Sequence, residues 1–127
     1  MIHQALLSCL IGTFFALAFV RAEEGPIDST DLDALRAAAG KDVAVRGAVT
    51  HVGTTADGGI TFINIGLPKK KGFVAVVFQK NYGEFPDGFG HFANRTVTVT
   101  GNLELYKNEQ PQIVVRSASQ IALDPEN

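Results

Sequence analysis

The chain has 127 residues, 46% of them hydrophobic, which is enough for one domain with a modest core and too short for two. A net charge of −2 and a pI near 5.8 exclude the generally basic surface that coats nucleic acid by electrostatics alone, so any anion site has to be local.

From Ala5 to Val20 the run ALLSCLIGTFFALAFV is nearly all apolar, and Val20-Arg21-Ala22 behind it forms a small-residue cleavage pattern ahead of Glu23. Residues 1–22 therefore read as a signal peptide. A helix that crosses a bilayer needs about 20 apolar residues, and this run is shorter. The expectation is an exported protein, periplasmic or secreted, with no stable membrane anchor once the signal is cleaved. Cleavage also removes Cys9, the only cysteine, so disulfides, thiolate nucleophiles and cysteine-based metal sites are not expected. Stability must then come from packing and from sheet hydrogen bonds.

Residues 23–30 read as a polar leader. Thr30 followed by Asp33 has capping-box spacing, Leu32 and Leu35 lie three apart, and Gly40 supplies a stop, so one short amphipathic helix is predicted here. Five strand candidates follow. The first, Val43–Val52, alternates apolar and polar residues, which puts Val43, Val45 and Val49 on one face with Gly47 in the middle. The second, Ile60–Gly66, follows the turn-rich Gly53–Gly59, and the third, Phe73–Gln79, follows Pro68-Lys69-Lys70-Lys71-Gly72. Their phase stays open. Ile63, Ile65, Val74 and Val76 compete with Phe62 and Phe73 for the interior, and a slip of one residue exchanges the two sets.

The connector Lys80–Asn94 is rich in glycine and phenylalanine, and Pro86 breaks any long helix. Phe85, Phe89 and Phe92, spaced four and three apart, fit one side of a helical turn and are expected to plug one end of the fold. The fourth strand, Arg95–Tyr106, alternates like the first, with Val97, Val99, Leu103 and Leu105 on one face and Gly101 at mid-strand. Gln112–Arg116 forms the fifth, after the loop Lys107–Pro111.

Three strands, a connector and two strands is the order of a five-stranded, partly open Greek-key barrel, with Gly47 and Gly101 as corners where strands coil from one side to the other. On VAVRGAVTHVG (43–53), GGITFINIG (58–66), FVAVVFQKN (73–81) and TVTVTGNLELYKNEQPQIVVRSASQI (96–121), the segment 31–123 resembles the bacterial OB-fold domains related to the tRNA anticodon-binding and helicase-type nucleic-acid-binding group. The resemblance implies an all-β OB-fold barrel with a short N-terminal helix over its open end and a C-terminal tail at 124–127. It also implies a binding face built from the outer surface of the second and third strands, with the loops after the first and fourth, for oligonucleotides or oligosaccharides.

Single-stranded nucleic acid requires a basic track for phosphates beside flat aromatic surfaces for bases. Arg46, Lys69, Lys70, Lys71 and Lys107 are the candidate phosphate contacts, and Phe62, Phe73 and Tyr106 the candidate stacking surfaces. Plainer readings stand beside these: a solvated loop tip for the three lysines, a surface ion pair for Arg46, and core packing for either phenylalanine. The Tyr82 hydroxyl fits a loop backbone group equally well.

Catalysis has little support. His51 and His91 lack metal-ligand spacing and read as structural, and no nucleophile elbow, phosphate loop or pair of catalytic acids is present. A non-enzymatic module without metal or cofactor is the expectation. Its partner is single-stranded DNA or RNA, or, on a second reading as a stress-associated periplasmic protein, a small ligand or a partner protein met through the barrel face. A strand edge that docks a larger exported enzyme is the third option.

Overall fold

Strand β2 (Asp42–Thr54), 13 residues long, is too long to serve one sheet, and its path explains the rest of the fold. In the computed structural model, which describes residues 25–68 and 71–125, β2 pairs antiparallel with β5 (Thr96–Tyr106) from Asp42 to Ala48 and then with β3 (Ile60–Ile65) from Val49 to Thr54. The expected signal segment 1–22, Lys69 and Lys70 lie outside the described residues.

β3 pairs antiparallel with β4 (Phe73–Phe78), β4 runs parallel to β6 (Gln110–Val114), and β6 returns antiparallel to the second half of β5. The ring β2-β3-β4-β6-β5 thus closes on itself, which is the five-stranded Greek-key barrel of an OB fold. The alternation expected from sequence holds: Val45, Val49, Val97, Val99 and Leu103 are buried and line one interior, joined by Ile113.

The two corners arise differently. β5 passes from β2 to β6 at Gly101–Leu103, and Gly101 takes φ +151, a conformation that side chains rarely adopt. A Cβ there would also lie 2.7 Å from Ile113 Cγ2. Gly101→Ala is therefore expected to destabilise the protein by about 1–3 kcal/mol in urea unfolding, and an unchanged midpoint would show that the corner does not need glycine. In β2 the bend sits at a register shift between Val49 and His51, beyond the predicted corner at Gly47. Gly47 serves a different purpose. A Cβ on it would collide with the buried Ser29 hydroxyl, so its bare α-carbon admits the segment before the helix.

That segment is more than a leader. β1 (Ile27–Asp28) pairs parallel with β2, and at the other end β7 (Ile121–Leu123) pairs antiparallel with β5, while the Asp124 amide donates to the Thr96 carbonyl at 2.9 Å. Strands of two and three residues carry no readable periodicity, which is why the sequence did not announce them.

Helix α1 (Leu32–Ala37) is capped by Asp31, whose carboxylate accepts from the Ala34 amide at 3.1 Å. The predicted cap, Thr30, instead donates its amide and hydroxyl to Asp28 at 2.8 and 2.7 Å. Leu35 is fully buried, as expected of a helix that covers the core. The phenylalanine plug also forms, but not on a continuous helix. Short 3-10 turns at Gln79–Glu84 and Gly90–Phe92 flank Pro86 and Gly88 (φ +74), and between them Phe85 packs its ring 4.9 Å from Phe89 and 6.4 Å from Phe92.

Candidate ligand-binding groove

The phase left open in sequence is settled by burial. Thr61, Ile63 and Ile65 of β3 and Phe73, Ala75 and Val77 of β4 face the core, which turns Ile60, Phe62 and Asn64, and Val74, Val76 and Phe78, to the outside. These outward residues meet the second half of β2 and the start of β6 in a groove of about 520 Å³, within the range of small-molecule and cofactor sites.

Val74 and Val76, 3% and 4% exposed, make its floor. Phe62 and Phe78, each 36% exposed, and Tyr106, 51% exposed, stand along it as aromatic surfaces. Its polar lining consists of the His51 imidazole and the carboxamides of Asn64, Gln110 and Gln112, with Thr54 and Thr55 at one end. Among the described residues no lysine, arginine, aspartate or glutamate lines it.

Both ends are anchored. At the β2–β3 loop, Thr55 Oγ1 donates to Asp57 at 2.6 Å, the Gly59 amide donates to the same carboxylate at 2.9 Å, and the Tyr82 hydroxyl donates to the Gly58 carbonyl at 3.0 Å. The loop-satisfying role read for Tyr82 is the one it takes. The Thr55 hydroxyl, and after it the Gly59 amide, hold the Asp57 carboxyl below its ordinary value of 3.8. Because the folded value is the lowered one, this ordering is complete above the unfolded value and is lost as pH falls through the folded one. The Gly59 amide resonance is accordingly expected to titrate with a midpoint below 3.8, and a midpoint at or above it would contradict the bond.

At the β5–β6 turn, Lys107 and Asn108 take φ of 53 and 61, and the Lys107 ammonium lies over the Tyr106 ring, 5.4 Å from its centroid. Lys71 is exposed one residue before Gly72, whose carbonyl accepts from Gln110 Nε2 at 3.2 Å.

Of the residues singled out in sequence, Phe62 and Tyr106 are in the groove, and Lys71 and Lys107 stand beside it. Phe73 is not available. It is 1% exposed, because its strand phase places it opposite Ile65 inside the barrel, so it is corrected from a stacking surface to a core residue. Arg46 is also elsewhere: it lies on the half of β2 shared with β1 and β5, and its guanidinium is held by Asp124, with Nε donating to Oδ2 at 2.8 Å. The ion-pair reading fits that position. Arg46→Ala is expected to cost about 0–1 kcal/mol in thermal unfolding and to leave groove affinity unchanged; a drop in affinity would place Arg46 in the ligand's path. Lys69 and Lys70 lie outside the described residues.

Sequence reasoning missed Phe78, although its parity with Val74 and Val76 was a usable signal. It also missed the neutral amides and His51, which carry no motif. Beside the connector a hollow of about 220 Å³ takes Glu84, Asp87 and His91 into its wall, but among the described residues no group of three histidine, cysteine, aspartate or glutamate side chains is placed to hold a metal ion.

No protein-family profile and no curated protein matches the chain. Solved structures do. The aspartyl-tRNA synthetase of Entamoeba histolytica is 23% identical over 75% of this chain and 21% of its own, with a TM-score of 0.48. A putative aspartyl-tRNA synthetase from Leishmania major Friedlin is 13% identical over 80% of this chain and 21% of its own, with a TM-score of 0.50. The likeness is one of fold. This chain spans about a fifth of the length of either protein, and at such identity the second comparison supports the barrel topology alone.

Proposed function

We propose that this protein is a non-enzymatic OB-fold binding module, exported to the periplasm or beyond the cell, that holds single-stranded nucleic acid weakly by stacking bases in the groove. The observation that carries the proposal is the alignment of Phe62, Phe78 and Tyr106 along one groove on the outer barrel face. Stacking on such rings contributes about 1–3 kcal/mol per base, and a tract of about 4–16 nucleotides suits one OB fold. Phosphates are contacted by Lys71 and Lys107 beside the groove, and Lys69 and Lys70, which precede Lys71 in sequence and lie outside the described residues, are further candidates. Export rests on the apolar run Ala5–Val20 and the cleavage pattern behind it.

Fluorescence anisotropy with a labelled oligonucleotide of mixed sequence tests the proposal. Each phosphate neutralised on a single strand contributes about −0.7 to the slope of log affinity against log salt, so the four candidate lysines together set a limit of about −3. Binding at low salt with a slope between about −1 and −3 is expected. A steeper slope would mean that backbone charge, not base stacking, drives binding.

One observation favours the second reading, a small neutral ligand or a partner protein at the same face: the described lining holds no lysine or arginine. Absence of oligonucleotide binding at low salt selects it. A partner docked by strand addition is disfavoured, since the strands flanking the barrel are β1 and β7, only two and three residues long.

A further inference from the structure

The described lysines beside the groove stand at one end of it. Lys71 precedes Gly72, whose carbonyl holds Gln110, and Lys107 lies over the Tyr106 ring. The opposite bank is the second half of β2, and there the lining offers His51. Register seats it beside a stacking surface. His51 stands opposite Asn64, and two residues on, Gly53 stands opposite Phe62. Gly53 has no side chain, and the imidazole lies across the space that one would fill, since a Cβ there would meet His51 Nε2 at 2.9 Å. The ring thus takes the cross-strand place next to Phe62. A base stacked on Phe62 has this imidazole at its margin, where the sugar and phosphate leave the base.

The imidazole is exposed, and among the described residues no hydrogen bond engages either ring nitrogen. The charged groups of the elements around it are occupied or placed elsewhere. β3 presents neutral Phe62 and Asn64; ahead of β5, Arg95 donates to the Asp124 carbonyl at 3.1 Å; in the second 3-10 turn, His91 stacks on Phe92 with ring centroids 4.1 Å apart; and at the loop end Asp57 is taken up by Thr55 and Gly59. Asp42 and Arg46 belong to the first half of β2, and Glu104 lies at the far end of the row that runs from His51 through Asn64, Val74 and Gln112.

A neutral imidazole offers one N–H, whereas an imidazolium offers two and a full charge. Resting on the nucleic-acid reading of the groove, we infer that His51 in its protonated form is a phosphate contact on the β2 bank, so that single strands are held more tightly in acid. Between about pH 7.5 and about pH 5.5, histidine is the side chain that changes charge, while carboxylates titrate below that window and lysine and tyrosine above it. The contacts at the lysine end therefore persist while the one at the β2 end is switched. On the export reading, the groove is exposed to ambient pH, the variable this contact senses. The sign follows from linkage: a phosphate that binds imidazolium better than imidazole raises the ring's affinity for its proton, and the proton raises the affinity for the phosphate by the same factor.

The test is anisotropy with labelled oligo(dT), whose base takes up no proton in this range, at about pH 7.5 and about pH 5.5 and one ionic strength. It is run on the intact protein, His51→Gln, His51→Lys and His91→Gln, each checked for an unchanged melting temperature. A rise of about 0.5–1 pH unit in an imidazole's midpoint corresponds to about two- to fivefold tighter binding across the window, and that gain is expected of the wild type and of His91→Gln. His51→Gln and His51→Lys should show no such gain, and the lysine variant should be the tighter of the two. The His51 Cε1 proton resonance should titrate about 0.5–1 pH unit higher with saturating oligo(dT) than without it, a displacement that a merely structural histidine would not show. Equal affinity of the wild type at the two pH values, or a gain that survives His51→Gln, overturns the inference while leaving the groove as a binding site. Failure of oligo(dT) and of a mixed-sequence oligonucleotide to bind at either pH overturns the nucleic-acid reading itself and the inference with it.

Discussion

Phe62→Ala is expected to weaken oligonucleotide binding by about 5- to 150-fold while costing less than about 1 kcal/mol of stability. The first figure is the stacking contribution of one base, about 1–3 kcal/mol, converted to affinity. The second follows from its position: the ring is 36% exposed on the outer face of β3, and its removal uncovers only part of its cross-strand neighbour Val76. Anisotropy titration paired with a thermal melt reads both quantities on one preparation. Unchanged affinity would mean that the groove ring bears no ligand, and a large loss of melting temperature would mean that Phe62 packs rather than stacks.

Phe73→Ala should do the opposite. Phe73 stands at the start of the neighbouring strand, opposite Ile65, with its ring enclosed by the barrel. Emptying that volume is expected to cost about 3–5 kcal/mol, from transfer of the ring and from the cavity left in a packed interior. Against the total of about 5–15 kcal/mol typical of a domain this size, the variant should unfold at much lower urea, while the fraction still folded keeps its affinity. A loss under about 1 kcal/mol in urea unfolding would contradict the assigned phase of β4. The two phenylalanines thus give one fold two separable readouts, and the separation depends only on which side of a pleat each occupies.

The barrel was legible where one face of a strand is polar. In β5 the threonines alternate with Val97 and Val99, so the phase could be read directly, and Gly101 interrupts it at the handover between partners. β3 and β4 resisted for identifiable reasons. Val74 and Val76 are covered on the groove side almost as fully as Phe73, Ala75 and Val77 are on the core side, so β4 has no polar face from which to set a phase. β3 is misleading in a second way. Thr61 points inward, its hydroxyl within hydrogen-bond distance of Thr54 Oγ1 and of the Tyr82 hydroxyl, at 2.9 Å each, while the larger apolar Phe62 points out. A polar residue satisfied inside and an aromatic left outside reverse the usual pattern, and that reversal is the mark of the candidate site. The face and two of its aromatics, Phe62 and Tyr106, were legible, but the groove's amides were not, since it is assembled from β2, β3, β4, β5 and β6 and Asn64, Gln110 and Gln112 acquire meaning only through register.

Mapping a single-stranded oligonucleotide onto the protein by amide chemical-shift perturbation tests the central claim most directly. The account predicts that the largest shifts fall on His51, Phe62, Asn64, Val76, Gln112 and Tyr106, with little change around Arg46 and Asp124 on the β1–β2–β5–β7 side. Shifts centred on that opposite side, or none at a concentration that saturates the anisotropy signal, would contradict it.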